Sequence, residues 1–299
     1  MKIFAKGWSM GKDGPGNRRI YYLKGCNLRC KWCASPESIN FEDELLFYPD
    51  RAQGENLGYL CPHGAISSEN QLDREKCRCC SDKACRRFRH KALEWAGEDI
   101  SCQQIIQDIE SARTMWGNFS GVTFGGGEPS LQSTELCQVL RELRKMNIHT
   151  AFESNAVPAG FKQLVPEADL VITDLKCADK ANFKHVAEGD ADAVFENHTF
   201  AAQYAKALLI RIPLITSVND SVEELIKIAE LLYELNKTRV HCAGEPLCVE
   251  LLKLHHFGAA KYSALGRIYP IEGLPYVKEE TVKFMEDLLI KNEIKLIKS

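Results

Sequence analysis

The segment Gly25-Cys26-Asn27-Leu28-Arg29-Cys30-Lys31-Trp32-Cys33 decides how the rest of the sequence is interpreted. Its three cysteines follow a CxxxCxxC spacing, and an aromatic residue comes directly before the last cysteine. A loop this short can place three thiolates on one face of a four-iron cluster and leave the fourth iron without a protein ligand. Such an open metal position can bind a small molecule. The alternative is a zinc site, which usually combines two cysteine pairs to reach four ligands.

The composition is that of a soluble globular protein with one large domain or a domain carrying an insert. The chain has 299 residues, of which 45% are hydrophobic and 26% charged, with a formal net charge of −3. This charge gives no indication of nucleic-acid or membrane binding. No apolar run approaches the ~18 residues of a membrane span, and the N-terminal residues lack a signal-peptide pattern. Thirteen cysteines without such a signal favour a reducing cytoplasm and metal chemistry over disulfides.

Strands and helices alternate along most of the sequence, which predicts parallel βα units. A short first strand is expected at 3–8, and helical spacing joins Ile105, Ile109 and Met115. The six predicted strands of the parallel sheet are 19–23, 121–124, 148–152, 170–173, 208–212 and 248–252. Later helices are predicted at 131–146, 179–187, 193–206, 222–235 and 276–291. Six such units can curl into a partial (β/α)6 barrel of the α/β class.

Unusual polar residues follow the predicted strands, and the first of these strands leads into the cysteine loop. In parallel barrels the carboxyl ends of the strands form the rim that carries catalytic groups. Because these residues follow separate strands but share one rim, the whole set is stronger evidence for a functional site than any single residue. The residues are Glu128, Glu153, Asp174, Lys176, Arg211 and His255.

Residues 50–98 form a predicted insert between 1–49 and 99–299, which together make the barrel. The insert is rich in cysteine and charge, so metal is expected to hold it together. Cys61 matches the end of one ferredoxin motif, and Cys77, Cys80 and Cys85 match the start of a second; crossed ligation assigns all four to one cluster. We therefore predict one auxiliary 4Fe–4S cluster, with Cys79 as a neighbour or substitute ligand. The alternatives are a zinc site or an insert without metal.

Taken together, these motifs resemble the radical S-adenosylmethionine (SAM) superfamily. Cys26, Cys30, Trp32 and Cys33 match its cysteine motif, and Gly126-Gly127-Glu128-Pro129 matches its methionine-binding element. More narrowly, the chain is similar to the activating enzymes of glycyl radical enzymes, of the pyruvate formate-lyase activating type with a ferredoxin-like insert. The narrower match rests on Asp13-Gly14-Pro15-Gly16, Pro36-Glu37-Ser38, Glu153-Ser154-Asn155, Asp174-Leu175-Lys176 and Val218-Asn219-Asp220.

The resemblance implies a role for each matching residue. The three loop cysteines would hold the catalytic 4Fe–4S cluster, and SAM would bind its open iron. Gly126, Gly127 and Glu128 would meet the methionine ammonium. Arg211 would pair with the SAM carboxylate or hold the ribose side. The remaining assignments are Asp174 and Lys176 as catalytic residues lining the SAM pocket and the glycine approach, His255 near the adenosine, and Glu153, Asn155 and Trp32 as further cofactor-binding residues.

The implied reaction is reductive cleavage of SAM to methionine and a 5′-deoxyadenosyl radical. That radical would remove a hydrogen from a glycine Cα of a partner glycyl radical enzyme, with flavodoxin or ferredoxin as electron donor. A cytoplasmic monomer is expected. Two other functions stay open: radical SAM chemistry on a small molecule, and an iron–sulfur electron carrier. The chain departs from the family pattern at Gly125, at Thr216-Ser217 and at 241–247, which we interpret as a small insertion before the sixth strand.

Overall fold

The computed structural model describes residues 1–113 and 120–297. The first part of the chain contains five strands and two helices: β1 (Lys2–Met10), β2 (Asn17–Leu23), β3 (Glu44–Phe47), α1 (Arg74–Cys79), β4 (Leu93–Ala96), β5 (Glu98–Asp99) and α2 (Cys102–Ala112). The predicted helical residue Met115 lies outside the described residues.

The second part alternates strands and helices, as the sequence predicts. Its elements are β6 (Ser120–Gly126), α3 (Ser133–Lys145), β7 (His149–Ser154), α4 (Phe161–Leu164), β8 (Leu170–Asp174), α5 (Lys180–Ala187), α6 (Ala191–Tyr204), β9 (Leu208–Leu214), α7 (Val222–Ala243), β10 (Cys248–Lys253), α8 (Ala259–Ala264), α9 (Glu279–Lys291) and β11 (Lys295–Ile297).

Nine strands form one sheet in the order β11-β10-β9-β8-β7-β6-β2-β1-β5. All neighbouring pairs from β2 to β11 are parallel, so the six predicted parallel strands and the α/β class are confirmed. The sequence did not predict that β11 would add a seventh parallel strand, or that β1 would pair antiparallel with β2. The helix α7 continues to Ala243 and ends at Gly244 in a left-handed conformation, and the insertion at 241–247 stays a prediction.

One face of the parallel sheet packs against the helices, and the other face borders a cavity. Val171 belongs to the main apolar core under the helices, whereas the next residue, Ile172, lines a cavity on the other face. Successive side chains of a strand point to opposite faces, so each strand supplies both environments. Asp174, two residues after Ile172, lines the same cavity. The alternation therefore carries polar groups of the strand ends into the interior of the partial barrel.

The end of β6 lies against the start of the cysteine loop at a distance that only glycine permits. A Cβ at Gly127 would lie 2.3 Å from the carbonyl oxygen of Gly25. The neighbouring Gly126 has a φ of +104°, a left-handed conformation that other residues rarely adopt. The N–H of Gly127 donates to the carbonyl of Leu23 at 2.8 Å, and the N–H of Glu128 donates to Gly25 at 2.8 Å. The Gly-Gly pair thus joins the neighbouring strands β6 and β2 at the rim.

Residues 48–92 lie between β3 and β4, which pair antiparallel in a separate two-stranded sheet. A small apolar cluster there includes Phe47, Leu57, Leu60 and Ile66. The carboxylate of Asp43 connects this region to the barrel, because it forms ion pairs with Lys2 at 2.6 Å, with Lys83 at 3.1 Å and with Arg86 at 2.8 Å. The division of the chain at 50 and 98 stays a prediction.

We expect Gly127→Ala to lower the free energy of unfolding by about 1–3 kcal/mol, the usual cost of overpacking, because its methyl group would meet backbone that cannot move aside. Gly7→Ala is the matched control, since its Cβ would meet only Ile20 at 3.9 Å. Anaerobic urea denaturation measures both. Equal stability of the two variants would contradict the close contact.

Candidate active site

A cavity of about 280 Å³ lies at the carboxyl ends of the parallel strands. It brings together most of the site residues that the sequence predicts, although they are spread over more than 220 positions. Those that line it are Cys26, Cys30, Trp32, Cys33, Gly126, Gly127, Glu153, Asn155, Asp174, Lys176, Arg211 and His255. Glu128 is the predicted rim residue that is absent from the described lining.

The cysteine loop is held by backbone hydrogen bonds at its start. The N–H groups of Gly25 and Cys26 donate to the carbonyls of Ser38 and Ile39 at 2.7 and 2.9 Å. The 3-10 turn at Pro36–Ser38 therefore fixes where the loop leaves β2. Gly25 has a φ of +97°, and a Cβ there would meet the ring of Phe41. The loop conformation thus depends on this glycine as well as on the cysteines.

The three loop cysteines are partly buried, and their surroundings disfavour ionisation of the thiols. Burial raises the pKa of Cys26 to about 12, and the nearby Glu128 adds to the effect. Burial also raises the pKa values of Cys30 and Cys33, while Lys176 opposes the shift. A bound metal would replace the protons, since metal ligation takes the thiolate form. Three thiols on one cavity wall are the donor set expected for an iron–sulfur cluster.

Two N–H groups already point at the sulfur of Cys26. The backbone N–H of Leu28 lies 3.5 Å from it, and the side-chain amide of Asn155 lies 3.7 Å from it. Hydrogen bonds to a ligating sulfur stabilise its negative charge and tune the metal. Asn155 also donates to the side-chain oxygen of Asn27 at 3.0 Å. In this arrangement Asn155 connects the end of β7 to the cysteine loop.

Glu128 is completely buried, and its carboxylate is occupied by hydrogen bonds within the chain. One oxygen accepts from the backbone and hydroxyl of Ser130 at 3.0 and 2.6 Å and from the hydroxyl of Ser154 at 2.7 Å. The other oxygen accepts from the N–H of Asn155 at 2.7 Å. The carboxylate therefore joins the β6 turn to the end of β7, and the predicted contact with a methionine ammonium stays a prediction.

Arg211 lies between two carboxylates on neighbouring strands. Its Nη1 is 2.7 Å from Glu153 and its Nε is 2.7 Å from Glu250. The Nη2 of the same guanidinium donates to the backbone carbonyl of Lys12. Burial lowers the pKa of Arg211, but the pairing with these carboxylates outweighs it and raises the pKa above the ordinary value. Arg211 thus compensates the acidic groups of the barrel interior.

Lys176 and Asp174 form a close pair at the end of β8. The ammonium of Lys176 lies 2.5 Å from the Asp174 carboxylate. Lys176 is only 8% exposed, and its backbone carbonyl accepts from the side chain of Asn219 at 2.8 Å. Burial lowers the pKa of Lys176, but Asp174 and the nearby thiols outweigh it and raise the pKa above the ordinary value. A permanent cation therefore lies beside the cysteine loop.

His255 and Trp32 lie on the remaining walls. His255 stacks on Phe257 with ring centroids 4.3 Å apart, and burial lowers the pKa of its imidazole. Trp32 packs against Ile215 and Leu254. A flat, partly apolar wall of this kind suits an aromatic base. The Nε2 of the next residue, His256, lies 3.0 Å from the carbonyl oxygen of Leu274, and His256 is absent from the described cavity lining.

Sequence reasoning missed Glu250, which is 5% exposed and completes the pairing of Arg211. Glu250 lies directly opposite Arg211 in the register of β10 and β9. A signal was available, because Glu250 interrupts an otherwise apolar strand, and a buried charge must be paired. Ser154 was seen only as part of a motif, although its hydroxyl holds Glu128.

Family comparisons agree with this geometry. The model described as the radical SAM superfamily matches residues 20–232. The 4-hydroxyphenylacetate decarboxylase activating enzyme of Clostridioides difficile is 29% identical over 295 residues, covering 94% of this chain and 90% of the relative. The (2S)-3-sulfopropanediol sulfolyase activating enzyme of Bilophila wadsworthia is 32% identical over 274 residues, covering 88% of this chain and 87% of the relative.

Solved structures support the fold alone. SuiB of Streptococcus suis, bound to the precursor peptide SuiA, gives a TM-score of 0.54 at 10% identity, covering 94% of this chain and 48% of that chain. A radical SAM methyltransferase from Sphaerobacter thermophilus gives a TM-score of 0.53 at 12% identity, covering 100% of this chain and 75% of that chain. The sheet and cavity thus define an enzyme of the radical SAM type. The chain belongs to the radical SAM superfamily, within its activating enzymes of glycyl radical enzymes.

Membership in this superfamily implies a 4Fe–4S cluster and SAM as cofactors. The residues present fit the cluster, because three thiols line one cavity together with N–H donors to Cys26. The same cavity offers Lys176 and an open wall at His255 for a bound small molecule. No helix within residues 1–113 and 120–297 combines the length and apolar character that crossing a bilayer requires.

The charges around Arg211 predict a pH-dependent stability. Burial raises the pKa of Glu153 to about 8, well above its ordinary value, although the neighbouring Arg211 opposes the shift. The folded protein therefore holds a proton that the unfolded chain has released, and stability falls as the pH rises from about 5 to 8. The slope from one group is at most about 1.4 kcal/mol per pH unit.

Glu153→Gln removes this titration, so its unfolding free energy should vary less with pH than that of the unmodified protein. Urea denaturation at several pH values, without added iron, measures the difference. Glu142→Gln is the control, since Glu142 pairs at the surface with Lys145. An unchanged slope in Glu153→Gln would show that Glu153 is ionised throughout.

Proposed function

We propose that this protein activates a glycyl radical enzyme by cleaving SAM reductively at the cavity of Cys26, Cys30 and Cys33. The product radical takes a hydrogen atom from the Cα of a glycine in the partner. A flavodoxin or ferredoxin supplies the electron, and the enzyme acts as a cytoplasmic monomer. The observation that carries the proposal is the single cavity in which three thiols, Lys176 and Arg211 meet at the strand ends.

When bound, the cluster supplies the electron that breaks the C5′–S bond of SAM. The chain's own residues orient the cofactor and balance its charge. Lys176 is a cation close enough to the thiols to act on their pKa values, and we assign it to the negative groups of the bound cofactor, with Asp174 holding its ammonium. Arg211 lines the SAM pocket and stays paired with Glu153 and Glu250. Its positive charge therefore balances the negative charge of these two carboxylates.

A protein substrate is supported by the names of four relatives, each an activating enzyme that this chain matches over 87–93% of the relative's length. Reaction on a diffusible small molecule is the competing function. An electron carrier is a third possibility, but a carrier gains nothing from the buried Lys176–Asp174 pair or from Arg211. The reaction products distinguish all three.

We expect the reconstituted protein, given SAM and dithionite without oxygen, to form 5′-deoxyadenosine. Cys30→Ala should reduce the rate at least about 100-fold, because the iron–sulfur site loses one of three thiolate ligands. Cys242→Ala is the matched control, since Cys242 is exposed at the end of α7. Chromatography of the nucleoside measures the rate.

The partner is tested by electron paramagnetic resonance. A co-encoded glycyl radical enzyme should develop a glycyl radical signal only with active protein. Nucleoside without a signal in any such partner would favour a small-molecule substrate. No nucleoside from a cluster-loaded, reducible sample would favour the electron carrier.

We also propose one auxiliary 4Fe–4S cluster held by four cysteines of the 48–92 region. Burial raises the pKa of Cys85, and the nearby thiols of Cys77, Cys61 and Cys80 raise it further, so the four sulfurs lie near one another. The N–H of Ala65 lies 3.3 Å from the sulfur of Cys61. Cys79, in contrast, is exposed, which supports its exclusion from the ligand set.

Zinc is the alternative metal for this region. Ligand atoms of His63, Cys80 and Asp82 lie within 4.8 Å of one another, and mixed nitrogen, sulfur and oxygen donors suit zinc. A zinc site here would use Cys80, so it would compete with the auxiliary cluster.

Iron analysis decides between these metals. The reconstituted protein should hold about eight iron atoms per chain, and the Cys77→Ser/Cys85→Ser double variant about four, as expected for two cubane clusters and one. Cys79→Ser is the control and should keep about eight. Four iron atoms plus one zinc atom in the unmodified protein would refute the auxiliary cluster.

A further inference from the structure

A second cavity lies on the outer side of the cysteine loop and has a volume of about 560 Å³. Cys30 lines both this outer cavity and the active-site cavity. It is the one residue that the described linings of the two cavities share. One thiol of the metal-binding loop therefore separates the substrate side from a second surface. The remaining residues of the outer cavity belong to the loop, to α5 and to the region around α8.

The loop presents alternate side chains to the two cavities. Leu28 and Trp32 line the inner cavity, whereas Arg29 and Lys31 line the outer one. Hydrogen bonds fix this arrangement at the last turn of α5. The N–H of Arg29 donates to the carbonyl of Ala187 at 2.8 Å, and the N–H of Lys31 donates to Val186 at 3.1 Å. The two cationic side chains are thus held beside Cys30 on the outer surface.

These cations have no acidic partner among residues 1–113 and 120–297. Arg29 donates to the carbonyls of Cys26 and Leu28, both at 2.9 Å. The Nζ of Lys31 lies 3.0 Å from Nε2 of His185, which is itself a basic group.

Glu188 is the one acidic residue in the described lining of the outer cavity. Arg267 also lines this cavity, but its guanidinium already pairs with Glu44. Lys184, exposed on α5, lines a neighbouring cavity that shares Glu188 with the outer one and also contains Asp190 and Asp192. A basic surface beside Cys30 contrasts with the chain's net charge of −3.

We propose that the outer cavity is the docking surface of an acidic one-electron donor protein. The inference rests on the proposed function and adds the location of the donor to it. The donor loses one electron, and the group held at Cys30 gains it. Complementary charge raises the rate of encounter and selects the partner. Because Arg29 and Lys31 line a different cavity from Leu28 and Trp32, the donor and the glycyl radical enzyme would use different sides of the same loop.

The experiment compares two reductants. A bacterial flavodoxin, reduced photochemically, and dithionite each drive 5′-deoxyadenosine formation by the fully reconstituted enzyme. The test variant is Lys31→Glu/Lys184→Glu. The control is Arg89→Glu/Lys91→Glu, which makes the same change of charge on the exposed basic segment after Cys85. We expect the test variant to raise the KM for flavodoxin about tenfold at low salt, with the difference shrinking at high salt. Its dithionite-driven rate should match that of the unmodified enzyme.

The outcomes are separable. If Lys31→Glu also lowers the dithionite-driven rate, Lys184→Glu alone decides, because Lys184 lies on α5 outside the loop. An unchanged KM for flavodoxin, or an equal increase in the control variant, overturns the docking surface. A raised KM for the glycyl radical enzyme instead assigns the surface to the substrate protein and also overturns it. Absence of nucleoside with dithionite in the unmodified enzyme refutes the proposed function, which is a different result.

Discussion

The close contact between the end of β6 and the start of the cysteine loop is the constraint on which the site depends. Gly127 lies against the carbonyl of Gly25, and the carboxylate of Glu128 then reaches Ser154 and the N–H of Asn155 on β7. Asn155 in turn directs its amide at the sulfur of Cys26. Three strand ends and a metal-binding loop are therefore fixed by one chain of contacts. Displacement of any member would change where the thiols point.

The second organising feature is the balance of buried charge. Glu153 and Glu250 lie on opposite sides of Arg211, while Lys176 pairs with Asp174. Isolated charges in such an interior would be costly, and paired ones keep the cavity polar at a lower cost in stability. The pairing also gives each carboxylate a defined position. A cavity built in this way can bind a zwitterionic, positively charged cofactor without large rearrangement.

The loop between the two cavities gives the enzyme two chemically different sides. Its inner side carries Leu28 and Trp32, and its outer side carries Arg29 and Lys31. The 48–92 region is held to the barrel by the ion pairs of Asp43. With the donor docked as proposed, the reductant and the substrate protein do not compete for one surface.

The sequence by itself determined the positions of six parallel strands, the cysteine loop and most of the residues at the rim. These features are encoded locally: apolar alternation gives the strands, cysteine spacing gives the loop, and a residue after a strand must lie at the rim. Only the tertiary structure decided where the polar side chains point. Glu128 turns away from the cavity because hydroxyl and backbone donors of β7 surround it, and Arg211 is compensated by Glu250 because the register of β9 and β10 places them side by side. Such pairings join residues distant in sequence, so the local pattern can show that Glu250 needs a partner but not that the partner is Arg211.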